Sequence, residues 1–317
     1  MKDVVSIGIL VADVIAKPFT KLPEKGKLMP IDSITLHSGG CALSSAVDMS
    51  IIGLETAVVG KIGNDGFGSY LRNVLADAGV ETKGLAVGKD SNTSSSVVVV
   101  GNDSERSFAH CFGANGEFTY EDIDFDFVSE YGLAFFTGVN LMGSFDGKPL
   151  GRAVKKAKEL GLVTVMDTAW DASGRWMELV EDSLPYLDYF IPSYDEASLI
   201  AGKENPSEIA DVFMEKGVKN VAIKLGKDGC YIRSEKGNEY TIPTFLDIKA
   251  VETTGAGDAF SSGFITGIVK GWPIDMCGLF ANAVGTFSVS QIGASTGIKS
   301  MDETIAFIRN QGRKWNV

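Results

Sequence analysis

Apolar and polar positions along the chain predict strands and helices in alternation. Short apolar runs bounded by turn residues predict buried strands at residues 4–10, 56–61, 133–137, 163–167, 189–191 and 220–225. Apolar residues at helical spacing predict helices at 42–52, 67–78, 148–160 and 208–216, then at 259–270, 276–290 and 301–310 after a hairpin at 229–241. This alternation indicates an α/β fold, in which a mostly parallel sheet is covered by helices on both faces.

Two segments, at about 12–37 and 94–112, interrupt the alternation. The first is rich in loop residues before an alternating stretch, and the second has two β-rich runs around a Gly-Asn-Asp turn at 101–103. We expect them to form a small antiparallel sheet that projects from the main body, as a lid over the strand-end cleft or as an edge decoration. No linker divides the chain, so residues 1–317 are predicted to be one domain.

Composition narrows the class of function. The 317 residues include 29 Lys and Arg against 41 Asp and Glu, which gives a formal charge of −12. Such an acidic surface disfavours nucleic acids and anionic membranes as partners. No apolar run approaches the length of a membrane span. The four cysteines lack metal or redox spacing, so we expect a cytoplasmic protein with reduced thiols.

The strongest local signal is Thr-Thr-Gly-Ala-Gly-Asp at residues 253–258, directly before an apolar-periodic helix. Amides of Gly255, Ala256 and Gly257 at the start of a helix would favour a bound anion such as phosphate. Asp258, in the first helical turn, would be placed to take a proton from an attacking hydroxyl. A first-turn aspartate also serves as a simple cap, and the residues alone leave the two interpretations about equal.

A second motif is Gly39-Gly40, which leads into a predicted helix that carries Ser44. Adjacent glycines would let a ligand touch the backbone, and Ser44 would add a hydroxyl from the first turn. An ordinary loop-to-helix junction with a capping serine is the stronger alternative.

Two further motifs follow predicted strands. Glu196 would hold Mg²⁺ through water, although Ser193-x-x-Glu196 also fits a capping box, which we favour on the residues alone. Lys224, Gly226 and Gly229 would flank nucleotide phosphates, and the same glycines suit a tight turn.

Several polar residues fall on or near the lid segments. Asp13 would accept hydrogen bonds from sugar hydroxyls, or be a solvated loop aspartate. Arg106 would bind a substrate carboxylate, although an arginine at such a position more often forms a surface ion pair. The two histidines of the chain, His37 and His110, both lie on these segments, where isolated histidines are usually structural.

Taken in order, these motifs resemble the ribokinase-like, or PfkB, carbohydrate kinase family over nearly the whole chain. The most specific match is residues 253–260, which resemble the C-terminal signature of the family. The other matching elements are Gly39-Gly40 with Gly53 and Gly60, then Gly113-Ala114-Asn115, then Gly226-x-x-Gly229.

The resemblance implies a three-layer α/β/α sandwich with a doubly wound sheet and a β-sheet lid that is commonly used for dimer contact. Asp258 would be the general base, and Gly255, Ala256 and Gly257 would form the anion hole. Substrate-binding residues are expected at Asp13, Gly39, Gly40, Ser44, Arg106 and Asn115. Nucleotide contacts are expected at Lys224, Gly226, Gly229 and Asn282, with Mg²⁺ near Glu196 and a monovalent cation such as K⁺ near Thr253 and Gly293.

Four residues depart from the pattern of the family. Ser44 and Val11 stand where ribose-binding members carry asparagine, which argues against ribose as the substrate. Glu252 replaces the usual aspartate near the expected monovalent cation, and Ser193 replaces the asparagine that accompanies Glu196. None of these changes removes the base or the anion hole.

The sequence therefore predicts an ATP-dependent kinase for a hydroxyl, preferentially primary, of a small unphosphorylated sugar or sugar acid. A nucleoside kinase and a phosphosugar kinase are alternatives within the family, and the latter would need more positive charge near the sugar. A non-catalytic sensor of sugar or nucleotide is the alternative from another class. The resemblance also predicts a homodimer formed through the lid.

Overall fold

The computed structural model of the chain describes residues 1–19, 21, 23–101, 106–246, 248, 250–291, 293–315 and 317. Residues 102 and 103 of the predicted turn and the side chain of Arg106 lie outside the described part. The strands are β1 (Lys2–Gly8), β2 (Val11–Lys17), β3 (Ser33–Gly39), β4 (Thr56–Ile62), β5 (Leu85–Val87), β6 (Ser95–Val100), β7 (Arg106–Cys111), β8 (Tyr131–Val139), β9 (Val163–Thr168), β10 (Tyr189–Phe190), β11 (Asn220–Lys224), β12 (Cys230–Arg233) and β13 (Glu239–Ile242). The helices are α1 (Cys41–Ile52), α2 (Gly66–Asp77), α3 (Gly113–Gly116), α4 (Phe125–Val128), α5 (Lys148–Glu159), α6 (Met177–Val180), α7 (Tyr194–Ala201), α8 (Pro206–Glu215), α9 (Ala256–Val269), α10 (Ile274–Ser288) and α11 (Met301–Asn310).

The main sheet follows the predicted pattern. Within the described ranges it has nine strands, in the order β13-β12-β11-β10-β9-β8-β1-β4-β5. The neighbours from β11 to β5 pair in parallel, and β12 and β13 add an antiparallel edge. The predicted α/β class and the mostly parallel sheet are therefore confirmed. Several strand and helix bounds differ from the predicted ones by one to three residues, as expected where element ends fray.

Both faces of this sheet are buried, and β8 shows why its sequence is almost continuously apolar. Alternate strand residues point to opposite faces. Leu133 and Phe135 join a core formed with α9 and α10, while Ala134 and Phe136 join a core formed with α5, α7 and α8. Each strand position therefore needs an apolar side chain, as in other sheets that helices cover on both sides.

The small sheet has the order β3-β2-β6-β7 among the described strands. The prediction of an antiparallel sheet was wrong for its central pair, because β2 and β6 are parallel while β2–β3 and β6–β7 are antiparallel. The parallel pairing is possible because a long crossover that includes α1, β4 and α2 separates the two strands. The loop expected from residue 12 was also wrong, since β2 begins at Val11 and includes Asp13.

Helix α1 buries a carboxyl group that lacks a good partner. Asp48 is 0% exposed, and neither carboxyl oxygen has a hydrogen-bond partner in normal geometry among the described residues. Burial raises the pKa of Asp48 well above its ordinary value, although the Ser295 hydroxyl is near enough to act in the opposite direction. A buried carboxylate without a partner destabilises the folded state, because it loses its hydration without compensation.

We expect Asp48→Ala to raise the melting temperature by a few degrees, corresponding to about 1–3 kcal/mol. The folded state holds the Asp48 proton to higher pH than the unfolded state does. Wild-type stability is therefore lost as pH rises from about 4 through the folded pKa, and the gain from the substitution should grow over that range. Thermal unfolding at pH 5 and pH 8 measures both effects. Asp188→Ala is the control and should destabilise, because Lys158 and Lys219 pair with Asp188. A lower melting temperature for Asp48→Ala at both pH values would contradict this account.

Candidate active site

The site lies where the direction of chain progression across the main sheet reverses. From β1 the sheet continues through β4 on one side, and from β8 it continues through β9 on the other. Loops leaving the carboxyl ends of β1 and β8 therefore diverge and open a crevice, where ligands bind in sheets of this kind. The start of α1 joins this edge through the Ala42 amide, which donates to the Ile9 carbonyl at 3.2 Å.

Helix α9 begins with a backbone that only glycine adopts readily. Gly255 has a φ of 82°, and a Cβ there would lie 2.8 Å from Ala294. The first intrahelical bond runs from the Ala259 amide to the Gly255 carbonyl at 2.9 Å, and the Ala256 amide donates to Thr253 at 3.2 Å. Gly257 lies within the first turn, where backbone amides have no intrahelical acceptor and attract anions.

Asp258 is the third residue of α9 and is only partly exposed. Burial raises its pKa, whereas the ammonium of Lys224 and a hydrogen bond from the Cys41 thiol act in the opposite direction. Cys41 is the first residue of α1, so the starts of α1 and α9 meet at this carboxylate. A half-buried carboxylate with a raised pKa binds a proton more strongly than an exposed one, as a general base requires.

A buried ion pair lies beside Asp258, and the sequence did not lead us to its acidic member. Lys224 at the end of β11 donates to Asp167 near the end of β9, with 2.6 Å between Nζ and Oδ2. Ser261 of α9 donates to the same Oδ2 at 2.8 Å. Asp167 ends the predicted strand at 163–167, and a carboxylate at the carboxyl end of a buried strand was the available signal.

Glu196 forms the capping box that the sequence favoured, while its role in holding Mg²⁺ stays a prediction. Its Oε2 accepts the Ser193 amide at 3.3 Å, within a capping box at the start of α7, and also the Thr168 hydroxyl at 3.0 Å. Burial raises the pKa of Glu196, while Lys224 lowers it. In the described part of the chain, no group of three or more Asp, Glu, His or Cys side chains is arranged to hold a metal ion. One or two carboxylates suit Mg²⁺, which takes its remaining ligands from water and phosphate.

The small sheet presents polar groups at its base. Asp13 lies against Gly39, because a Cβ on Gly39 would fall 2.5 Å from the carboxylate. Burial raises the pKa of Asp13, and a hydrogen bond with Ser96 lowers it. His110 Nδ1 lies 3.0 Å from Ser96 Oγ, and β-sheet pairing places His37 opposite Asp13. Both predicted histidines and Asp13 therefore come together on one face.

Two predicted substrate residues are placed in the framework around this end of the site. Asn115 donates from Nδ2 to the Leu10 carbonyl at 2.9 Å and accepts the Leu10 amide at 3.2 Å. The side-chain amide of Asn115 thus holds the backbone between β1 and β2 in place. A structural role fits Asn115 better than direct contact with the substrate. Ser44 is buried within α1. Gly40, by contrast, has a φ of 88°, and its backbone lies against Ile9.

The predicted nucleotide residues lie around the ends of β11, β12 and β13. Gly226 and Gly229 both have positive φ, and a Cβ on Gly229 would lie 2.0 Å from the Ile242 carbonyl. Asn282 of α10 donates to that same carbonyl at 2.9 Å. Lys224 also reaches the start of α9, because a Cβ on Gly257 would lie 3.5 Å from Nζ. Arg106 stays a prediction, since its side chain is outside the described part.

Comparisons with known proteins agree with this architecture. A protein-family model described as pfkB family carbohydrate kinase matches residues 1–301. A ribokinase of Haemophilus influenzae is 27% identical over 315 residues, covering 98% of this chain and 99% of that protein. A 2-dehydro-3-deoxygluconokinase of Bacillus subtilis is 24% identical over 297 residues, covering 91% of each.

Solved structures share the fold. The structure of Arabidopsis thaliana ribokinase complexed with ribose and ATP superposes with a TM-score of 0.85 at 22% identity, covering 97% of this chain and 99% of that chain. The layered architecture and the separate small sheet expected from the sequence are therefore confirmed. No helix among the described residues has the length and apolar character needed to cross a membrane.

Proposed function

Because the chain belongs to the PfkB family of carbohydrate kinases, we propose that it transfers the γ-phosphoryl group of MgATP to a hydroxyl of a small unphosphorylated sugar or sugar acid. One observation carries this proposal. Asp258, with a raised pKa, stands in the first turn of α9 beside the amide of Gly257. A proton acceptor and an anion-binding helix start occur at one point, as transfer of a phosphoryl group to a hydroxyl requires.

In this proposal Asp258 accepts the proton of the attacking hydroxyl as the oxygen bonds to phosphorus. The amides at the start of α9 hold the negative charge that spreads over the transferred group. The Cys41 thiol, which donates to the carboxylate, limits its rotation and keeps one orientation toward the acceptor.

Mg²⁺, when bound with ATP, would neutralise phosphate charge and orient the β- and γ-phosphates. Glu196 is the carboxylate that would hold it through water, because the nearby Asp167 is already engaged by Lys224. A monovalent cation stays a prediction, as does a cytoplasmic location. The cation is expected near Thr253 and Gly293, and Glu252 Oε2 accepts the Gly293 amide at 3.1 Å.

The polar face of the small sheet supports a hydroxyl-rich acceptor. Asp13 accepts hydrogen bonds, and the ring nitrogens of His37 and His110 offer further hydrogen-bonding positions, which suits vicinal hydroxyls. Burial lowers the pKa of His110, so its ring is favoured in the neutral form near pH 7. A sugar acid would need a cation for its carboxylate, and Arg106 is the proposed source. The Bacillus subtilis relative is named for a sugar acid substrate, which supports proposing sugar acids as well as neutral sugars as acceptors.

The test is release of ADP from MgATP with a panel of neutral sugars, sugar acids, phosphosugars and nucleosides. We expect turnover with a neutral sugar or a sugar acid at least tenfold faster than with the other two classes. Fastest turnover with a phosphosugar or nucleoside would move the assignment to those kinases. Nucleotide or sugar binding without turnover of any acceptor would favour the non-catalytic sensor.

We propose that the chain forms a homodimer through the small sheet. Leu36 and Val97 both flank Val14 in register, and Ile34 flanks Ala16, so these side chains share one face. Ile34 is 67% exposed, Val97 50% and Leu36 37%. Such a cluster of exposed apolar residues on a sheet is typical of an interface.

Leu36→Asp should convert the dimer to a monomer, because it places a charge at the centre of this apolar face. Light scattering after size-exclusion chromatography measures the mass. Leu28→Asp is the matched control, since Leu28 is exposed but lies outside the sheet. A wild-type monomer, or a dimer that tolerates Leu36→Asp, would remove this interface.

A further inference from the structure

The ion pair of Asp167 and Lys224 is unusually well buried for a surface crevice. The Asp167 side chain is 3% exposed and the Lys224 side chain 11%. The two residues lie on strands separated in the sheet by β10, which is only two residues long. Lys224 is fixed by its backbone too, because its amide donates to the Pro192 carbonyl at 3.0 Å. Desolvating two charges to this extent is costly, so stability alone does not account for this ion pair.

Asp167 links the lysine to the helix that carries the base. Its Oδ1 accepts the Thr168 amide at 2.8 Å. Its Oδ2 accepts both Lys224 and the hydroxyl of Ser261. Ser261 follows Asp258 by three residues on α9, so the two side chains lie about one turn apart. Asp167 is thus held firmly and in turn fixes the position of the ammonium.

The ammonium of Lys224 lies at the anion-binding end of α9 and is surrounded by negative charge. A Cβ on Gly257 would be 3.5 Å from Nζ. Burial acts to lower the pKa of Lys224, but Asp167, Glu196 and Asp258 together raise it above its ordinary value. One cation among three carboxylates leaves a net charge of about −2 when all four are ionised. An incoming triphosphate needs a positive contact in these surroundings, and Lys224 supplies one.

We propose that Lys224 contacts the transferred γ-phosphoryl group, and that Asp167 is the positioning residue that keeps the ammonium at Gly257. This inference rests on the proposed function and assigns Lys224 to the reacting end of the nucleotide. Without the charge of Asp167, Glu196 and Asp258 attract the ammonium away from Gly257. Asp167 thereby also keeps Lys224 from pairing fully with Asp258.

The test compares two nucleotides that differ in the γ-phosphate. Calorimetry on the full chain measures the affinity of MgADP and of Mg²⁺ with AMP-PNP, for wild type, Lys224→Met, Asp167→Asn and Asp188→Asn. Asp188 is the matched control: its buried carboxylate pairs with Lys158 and Lys219, at the other end of the parallel strands from Lys224. Thermal unfolding of each variant verifies that it is folded.

For Lys224→Met we expect a loss of AMP-PNP affinity of about 10- to 100-fold, as for a charge-assisted hydrogen bond. Asp167→Asn should lose about tenfold for the same nucleotide. MgADP affinity should change less than about threefold in both, and Asp188→Asn should match wild type for both nucleotides. Equal losses for the two nucleotides, or no loss for AMP-PNP, would overturn the assignment of Lys224. An unchanged Asp167→Asn would overturn the positioning role.

Lys224→Met leaves Asp167 buried without its partner and could unfold. In that case Lys224→Gln, which still donates to Asp167, and the double variant Lys224→Gln with Asp167→Asn decide by the same comparison. None of these measurements requires an acceptor. Failure to phosphorylate any sugar would therefore count against the proposed function, while the nucleotide comparison still decides this inference.

Discussion

Asp258→Asn should lower kcat by about 10² to 10⁴-fold, because the variant lacks the group that takes the proton of the acceptor hydroxyl. The affinity for MgATP should change by no more than a few-fold, since the backbone amides of α9 remain. Steady-state kinetics with the best acceptor, together with calorimetric titration of Mg²⁺ with AMP-PNP as the non-hydrolysed analogue of MgATP, measures both quantities.

The pH dependence gives a second result from the same variant. Asp258 acts as a base only when ionised, and burial raises its pKa above the ordinary value of 3.8. Wild-type kcat should therefore fall as pH decreases through that raised pKa, and the residual activity of Asp258→Asn should lack this dependence.

The folded state of Asp258→Asn should be at least as stable as wild type. A raised folded pKa means that ionised Asp258 destabilises the folded chain near pH 7, so its removal relieves that cost. A large loss of melting temperature would instead attribute any loss of activity to unfolding. A variant that is folded and still turns over at the wild-type rate would remove Asp258 from its role.

Gly257→Ala should lower kcat/KM for MgATP by about 10² to 10³-fold, similar to the loss of one donor from an oxyanion hole. The new methyl would lie 3.5 Å from Lys224 Nζ, in the space that the phosphoryl group must enter. The folded chain has room for it, and alanine favours a helix by about 1 kcal/mol over glycine. Activity and stability should therefore change in opposite directions.

Gly66→Ala is the matched control, since Gly66 is also a first-turn glycine and a Cβ there would meet nothing within 4 Å. It should keep wild-type activity. If Gly257→Ala kept wild-type kcat/KM while folded, the phosphoryl group would have to bind elsewhere than at the start of α9.

The fold and the centre of the site were predictable where local sequence carries the information. The apolar strands of the main sheet and the glycine-rich start of α9 are local patterns, and the structure has them within a few residues of the expected bounds. Asp258 was predicted from the same segment, because small residues at a helix start favour an anion bound beside the first turn.

Features that depend on distant partners were not predictable. Asp167 and Lys224 are 57 residues apart in sequence, and Asn115 meets Leu10 across 105 residues. Local patterns mark these residues but do not show which distant residue each one contacts. The parallel pairing of β2 with β6 was missed for the same reason, since strand direction depends on the crossover rather than on the composition of either strand.

The most direct measurement of the central claim is the mass and ³¹P NMR spectrum of the acceptor after incubation with MgATP and the enzyme. Wild type should convert the best acceptor of the panel to its phosphate monoester, with one equivalent of ADP, and Asp258→Asn should form that product at least about 100-fold more slowly. ATP consumed to ADP and inorganic phosphate with the acceptor unchanged, or equal product from both proteins, would contradict the account.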